Sequence, residues 1–254
     1  MMLQTFLVSQ FYAYLMVFVR LGAAFLIMPT VGETFVSTRI RLLFGVMVAL
    51  AVTPAVGGTL PPEPAQPADM AVLIIGEALI GIFIGTIART MMGALETAGS
   101  LIANHVGLSS AQAFNPAMSQ QTTVVNSILG ILGILLLFAT DMHHMLILAA
   151  VRSYGLFPPG GAMPLGDFTE HLTRIFSESF MIGLQMSAPF VVIGLLFFLG
   201  MGLVARLVPS IQVFFVTQPL QIALGLVLLG GSLSGLMVYW LRAFQGQMMP
   251  FLSS

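Results

Sequence analysis

Six long apolar blocks alternate with polar connections along the chain, and each is near or above the roughly 20 residues (range about 17–25) that a helix needs to cross a hydrocarbon core. The first runs from about Phe6 to Met28, ends at Pro29 and contains Arg20; the second covers Leu42 to about Val56. The linker GGTLPPEPAQPAD follows, and its Pro61, Pro62, Pro64 and Pro67 exclude a helix. The third block starts near Met70, runs to about Leu101 and carries Glu77, Arg89 and Glu96 on an otherwise apolar, glycine-rich helix. The fourth, from about Val124 to Thr140, meets DMHHM and continues toward Arg152. After the turn-rich SYGLFPPGGAMPLGD, the fifth runs from about Phe168 to Val204, with a kink expected at Pro189. VPSIQVFFVTQPL then interrupts the pattern before the sixth block, about Leu220 to Leu241. The pattern predicts an all-α membrane protein with six spans, and the arginines in its connections slightly favour both termini outside.

Between the third and fourth blocks lies NHVGLSSAQAFNPAMSQQT, Asn104 to Thr122, a run that is polar yet uncharged. An exposed loop usually carries charge, and a spanning helix would not string Asn, Ser and Gln together with Gly107 and Pro116. Non-helical backbone at membrane depth is tolerated only where protein buries it or where it lines a watery cavity, because lipid cannot satisfy its N–H and C=O groups. The segment therefore reads as a pore-lining or pore-plugging loop.

Composition narrows the function classes. Hydrophobic residues make up 58% of the chain and charged residues 7%, with a mean hydropathy of +1.03, far from the roughly 25% charge of a soluble domain. The net charge of −1 offers no basic surface for nucleic acid. Cysteine is absent, which removes disulfides, thiol nucleophiles and thiolate metal sites. All eight basic residues are Arg. That suits buried bidentate ion pairs in a packed assembly, and a G+C-rich genome would give the same bias. The N-terminus lacks a positive n-region and a small-residue cleavage site, so it reads as retained chain.

The ionisable residues inside apolar blocks are the candidate chemistry. A central Arg costs roughly 2.5–3.5 kcal/mol on insertion, so Arg20 is expected to face protein or water, or else to snorkel to an interface. Glu77, Arg89 and Asp141 could serve an ion-coupled transporter or channel, or form ion pairs that fix helix register. Glu77 and Arg89 stand twelve positions apart on one helix and cannot pair with each other. Asp141, His143 and His144 lie together, but adjacent His side chains on a helix diverge by about 100°, so no metal site is assigned. Ser234 in GSLSG lacks the spacing of a nucleophile elbow, and no enzyme activity or cofactor is expected. Gly81 and Gly85 form a small-residue step that allows close helix approach. Among the 18 methionines, Met91, Met92 and Met118 flank or occupy the polar run, where a deformable seal would matter.

Four segments, in order, resemble the FliR/SctT family, the export-gate component of flagellar and virulence type III secretion. VRLGAAFLIMPTVGETFVSTRIR is similar to the family's opening signature, with Arg20, Pro29, Gly32, Arg39 and Arg41 in place. GLSSAQAFNPAMSQQ resembles its gate plug, ATDMHHMLILAAVRSYGLFP its post-plug motif, and VPSIQVFFVTQPLQIALGL its late motif. One departure is Met142, where the family's D-G-H-H commonly has glycine. The resemblance implies a plug formed by Gly107, Ser109, Ser110, Gln112, Phe114, Asn115, Pro116, Met118, Gln120 and Gln121. It implies stacked helical hairpins, with residues 1–164 similar to a FliP subunit and 165–254 to a FliQ hairpin. Implied partners are several FliP-like and FliQ-like subunits around one copy of this chain, FlhB/SctU and FlhA/SctV-like export proteins, and unfolded protein substrates. Gln212 and Gln218, in the late loop Pro209–Pro219, are the implied FlhB contacts. Arg20, Arg39, Arg41, Glu77, Arg89, Asp141, His143 and His144 become structural or intersubunit polar residues. The implied location is the bacterial inner membrane at the flagellar basal body.

Overall fold

A computed structural model describes residues 2–109, 124–161, 165–207 and 213–251. Among these the chain is all-helical: α1 (Met2–Ile27), α2 (Thr38–Val56), α3 (Pro67–Val106), α4 (Val124–Ala139), α5 (Met142–Leu156), α6 (Leu165–Leu207) and α7 (Val213–Met248). Five helices are long and apolar enough to cross a membrane, and the bent pair α4–α5 makes a sixth if counted as one span. The six apolar blocks are thus present, but several boundaries move. α3 runs to Val106, so Asn104 and His105 of the polar run are helical. α6 continues through Pro189. The expected loop Pro209–Pro219 is shortened by α7, which begins at Val213 and contains Pro219 in its second turn. A proline there forfeits one backbone bond, which a helix of 36 residues tolerates near its start.

The chain forms two compact units, residues 1–90, 137–175 and 244–254 in one, and 91–136 and 176–243 in the other. This division by packing differs from a cut after residue 164, because each unit takes segments from both sides of it.

In the first unit α1 and α2 are antiparallel, with Phe25 against Phe44 at 5.2 Å between ring centroids. Ser37 caps α2 by accepting from the Ile40 N–H at 3.4 Å. The connection between the helices is tied by Arg41, which donates to the carbonyls of Val31, Glu33 and Val36 at 3.0, 2.8 and 3.4 Å. The start of α3 lies parallel to α1 at very short range: a Cβ on Gly81 would stand 2.2 Å from the Arg20 carbonyl oxygen, and one on Gly85 2.7 Å from that of Ala24. The GIFIG step is therefore a real helix contact. Gly81→Ala should force the helices apart and cost about 1–3 kcal/mol, as overpacking does, and a lowered unfolding midpoint in detergent checks it. Phe168, at the start of α6, stacks on Phe83 at 4.1 Å.

In the second unit the end of α3 is the axis. Its Met91, Ala94, Leu95, Ala98, Ile102 and Ala103 have no exposed surface, a stripe with the three-to-four spacing of a buried helix face. Trp240 of α7 donates from Nε1 to the Met91 carbonyl at 2.9 Å. Met91 and Met92 are core residues of this stripe, about four turns before the polar run, and so do not flank it as a seal. The outward faces are different. Only 11% of the most apolar window of α6, and 17% of that of α7, is buried within the chain. Leu195, Leu196, Leu199, Leu203 and Val227 are among the large apolar side chains left outside, so lipid or another protein must cover them.

Candidate functional site

The polar run leaves α3 through a fixed exit in the second unit. Gly107 takes φ +83°. Its N–H bonds to the Asn104 carbonyl at 3.3 Å, and that of Leu108 to the Ala103 carbonyl at 3.0 Å. These two bonds make a Schellman cap, in which a left-handed residue ends the helix and its last carbonyls are satisfied. Gln221 of α7, buried in an otherwise apolar stretch, locks the cap: its Nε2 donates to the His105 carbonyl at 2.9 Å. A Cβ on Gly107 would lie 3.1 Å from the Gln221 side-chain carbon, and one on Gly225, a turn further along α7, 2.3 Å from a Val106 methyl. The site thus ends α3 at a defined residue and hands the chain on from there. Gly107→Ala should cost about 1–2 kcal/mol, the penalty of a left-handed residue with a Cβ, read as a lower thermal midpoint. An unchanged midpoint would contradict the cap.

Of the expected plug residues, Gly107 and Ser109 are described. Ser110, Gln112, Phe114, Asn115, Pro116, Met118, Gln120 and Gln121 lie outside the described residues, as does Gln212. Gln218 is half-buried in α7.

The ionisable residues of the first unit are brought together in pairs. Arg20 and Glu77, with 0% and 2% of their side-chain surface exposed, form a two-pronged ion pair: Nε to Oε2 at 2.6 Å and Nη2 to Oε1 at 2.9 Å. The guanidinium also donates to Ser153 Oγ at 3.3 Å and to the Phe157 carbonyl at 3.0 Å, and lies 3.8 Å from the centre of the Tyr154 ring. Arg20 is thus faced by protein on every side described, and α1, α3 and α5 converge on it. Arg89 pairs with Glu33 at 2.7 Å. Arg39 is exposed. Tyr154, Ser153, Glu33 and Gln221 were not singled out from sequence; a lone Gln inside LQIALGL was the one available signal.

Asp141, His143 and His144 sit where α5 starts, and their ligand atoms lie within 4.8 Å of one another. This corrects the argument that the two imidazoles diverge. The 100° separation describes the Cα–Cβ directions of neighbouring helical residues, and the His143 and His144 side chains turn toward each other beyond it; Asp141 is the residue preceding the first turn, at φ +58°. It faces His144 three positions on, 3.4 Å away, while the two rings stand 4.0 Å apart.

The comparisons with known proteins cover nearly the whole chain. The family model described as bacterial export proteins, family 1, matches residues 11–247. The chain is 41% identical to the flagellar biosynthetic protein FliR of Caulobacter vibrioides over 91% of its own length and 92% of that protein's. It is 31% identical to the FliR of Bacillus subtilis, over 88% and 86%, and 28% identical to the Yop proteins translocation protein T of Yersinia pestis, over 85% and 84%. The chain belongs to family 1 of the bacterial export proteins, the FliR/SctT family.

Proposed function

We propose that this chain is a non-enzymatic component of the flagellar type III protein export gate in the bacterial inner membrane. It joins FliP-like and FliQ-like subunits to form the channel through which unfolded flagellar subunits leave the cytoplasm. The observation that carries this reading is the match to a flagellar FliR along 91% of the chain, beside a family match over residues 11–247 that spans all four motif segments. The unburied apolar faces of α6 and α7 support it, since a subunit that shares a wall with neighbours leaves such faces uncovered. In this reading residues 1–164 act as the FliP-like part and 165–254 as the FliQ-like part.

Residues 107–121 form the luminal plug. An uncharged Ser/Gln/Asn/Ala surface neither binds an unfolded polypeptide tightly nor selects it by charge, while Phe114 and Met118 fill the residual gap. Pro116 keeps the segment from becoming a continuous helix, so it is displaced without melting one. The Gly107 cap fixes one end, so displacement of the plug leaves α3 intact. FlhB/SctU and FlhA/SctV-like proteins are its further neighbours, with Gln212 and Gln218 as candidate FlhB contacts. Energy coupling lies in the associated machinery. The ion-coupled transporter reading is less favoured, because Glu77 and Arg89 are each engaged in an ion pair within the chain.

Deleting the gene in its own bacterium tests the reading. Loss of filaments and of exported flagellin, restored by supplying the chain in trans, is the expected result. A deletion strain that still exports flagellin at the parental level would overturn it.

A further inference from the structure

We propose that Asp141, His143 and His144 bind a divalent transition-metal ion, with Zn2+ the best fit. The proposal is independent of the export-gate reading. Two imidazoles and one carboxylate are a donor set suited to Zn2+, Ni2+ or Cu2+ and not to Ca2+ or Mg2+, which prefer all-oxygen sites.

The geometry supports ligation. His144 Nδ1 and Asp141 Oδ1 stand 3.4 Å apart. That is long for a hydrogen bond, yet two ligands about 2.1 Å from a tetrahedral zinc lie about 3.4 Å from each other. Asp141 precedes the first turn of α5, where an Asp usually accepts from the backbone N–H groups of that turn. Its side chain makes no such bond and turns to His144 instead. His143 is held differently: its Nδ1 lies 3.3 Å from the Leu137 carbonyl, and its ring packs 5.0 Å from that of Phe138. A backbone carbonyl on one ring nitrogen is the usual support of a metal-bound histidine and leaves Nε2 as the ligand.

Asp141 and His144 are 79% and 70% exposed, so their side chains are free to close the remaining gap among ligand atoms that all lie within 4.8 Å of one another. The same exposure leaves the ion's fourth position for water or for a side chain of another subunit, as in open zinc sites. The ion would hold the turn at the start of α5, where Asp141 takes a left-handed conformation, φ +58°, that Asp adopts more readily than most residues other than Gly.

The test uses the full chain purified in mild detergent without a polyhistidine tag. Co2+ is titrated while its visible absorption is followed, and Zn2+ is then added as competitor. One saturable ion per chain, displaced by Zn2+, is expected, with His144→Ala or His143→Ala weakening the affinity about 100-fold or more, beyond the 10–100-fold typical of losing a supporting contact. His171→Ala, remote in sequence, should change nothing. Absence of saturable binding would overturn the proposal, and so would binding that survives in the double variant H143A/H144A. Circular dichroism of each variant guards against misfolding, to which the exposed His144 is the least sensitive position.

Discussion

Glu77→Ala should destabilise the first unit by about 3–5 kcal/mol, the cost of leaving one member of a buried ion pair without its partner. The loss is set by Arg20, which has no exposed surface and would be left as a buried charge without its counter-charge. Ser153 and the Phe157 carbonyl would still accept from it, but neither supplies a negative charge. A marginally stable protein loses most of its folded population at such a cost. The expected readout is a large fall in the yield of intact protein from membranes, together with protease sensitivity in detergent. Replacing both residues, as in R20M/E77L, should recover part of the loss, because an apolar pair removes the stranded charge. Recovery stays partial, since the Phe157 carbonyl then loses the bond it accepts. A single E77A variant as stable as the parent would contradict the buried pair.

Removing residues 110–121 while keeping Gly107 is expected to have the largest functional effect. On the gate reading the subunit still assembles, because α3 ends at its own cap and Gln221 still holds the His105 carbonyl. The channel is left without its seal, and membranes should pass ions and small solutes that the parent excludes. Uptake of a small impermeant dye by cells, together with co-purification of the partner subunits, separates a leaky gate from a missing one. Intact complexes with parental permeability would remove the plug assignment.

The apolar blocks, their order and the place of the polar run were legible in the sequence because bilayer-length hydrophobic runs are a strong and local signal. Arg20 could be placed away from lipid for the same reason. Whether Arg20 and Glu77 pair, and whether between subunits, could not be settled, since Glu77 is 57 positions away and nothing local decides it; the pair forms within the chain. Local rules also misplaced the end of the late loop: Pro209 and Pro219 suggest a continuous break, whereas a helix runs from Val213 through Pro219. Helical periodicity misled at His143 and His144, because it fixes the directions of the Cβ atoms, whereas the side-chain torsions bring the rings to 4.0 Å. The weak glycine step at Gly81 and Gly85 turned out to be a tight contact, a distinction that needs the facing helix α1 to be known.

The export-gate reading is tested most directly by native mass spectrometry of this chain co-expressed with the FliP-like and FliQ-like proteins of its own genome. The gate account predicts a mixed complex in mild detergent that holds one copy of this chain and several of each partner. A monomer or a homo-oligomer that takes up neither partner would contradict it.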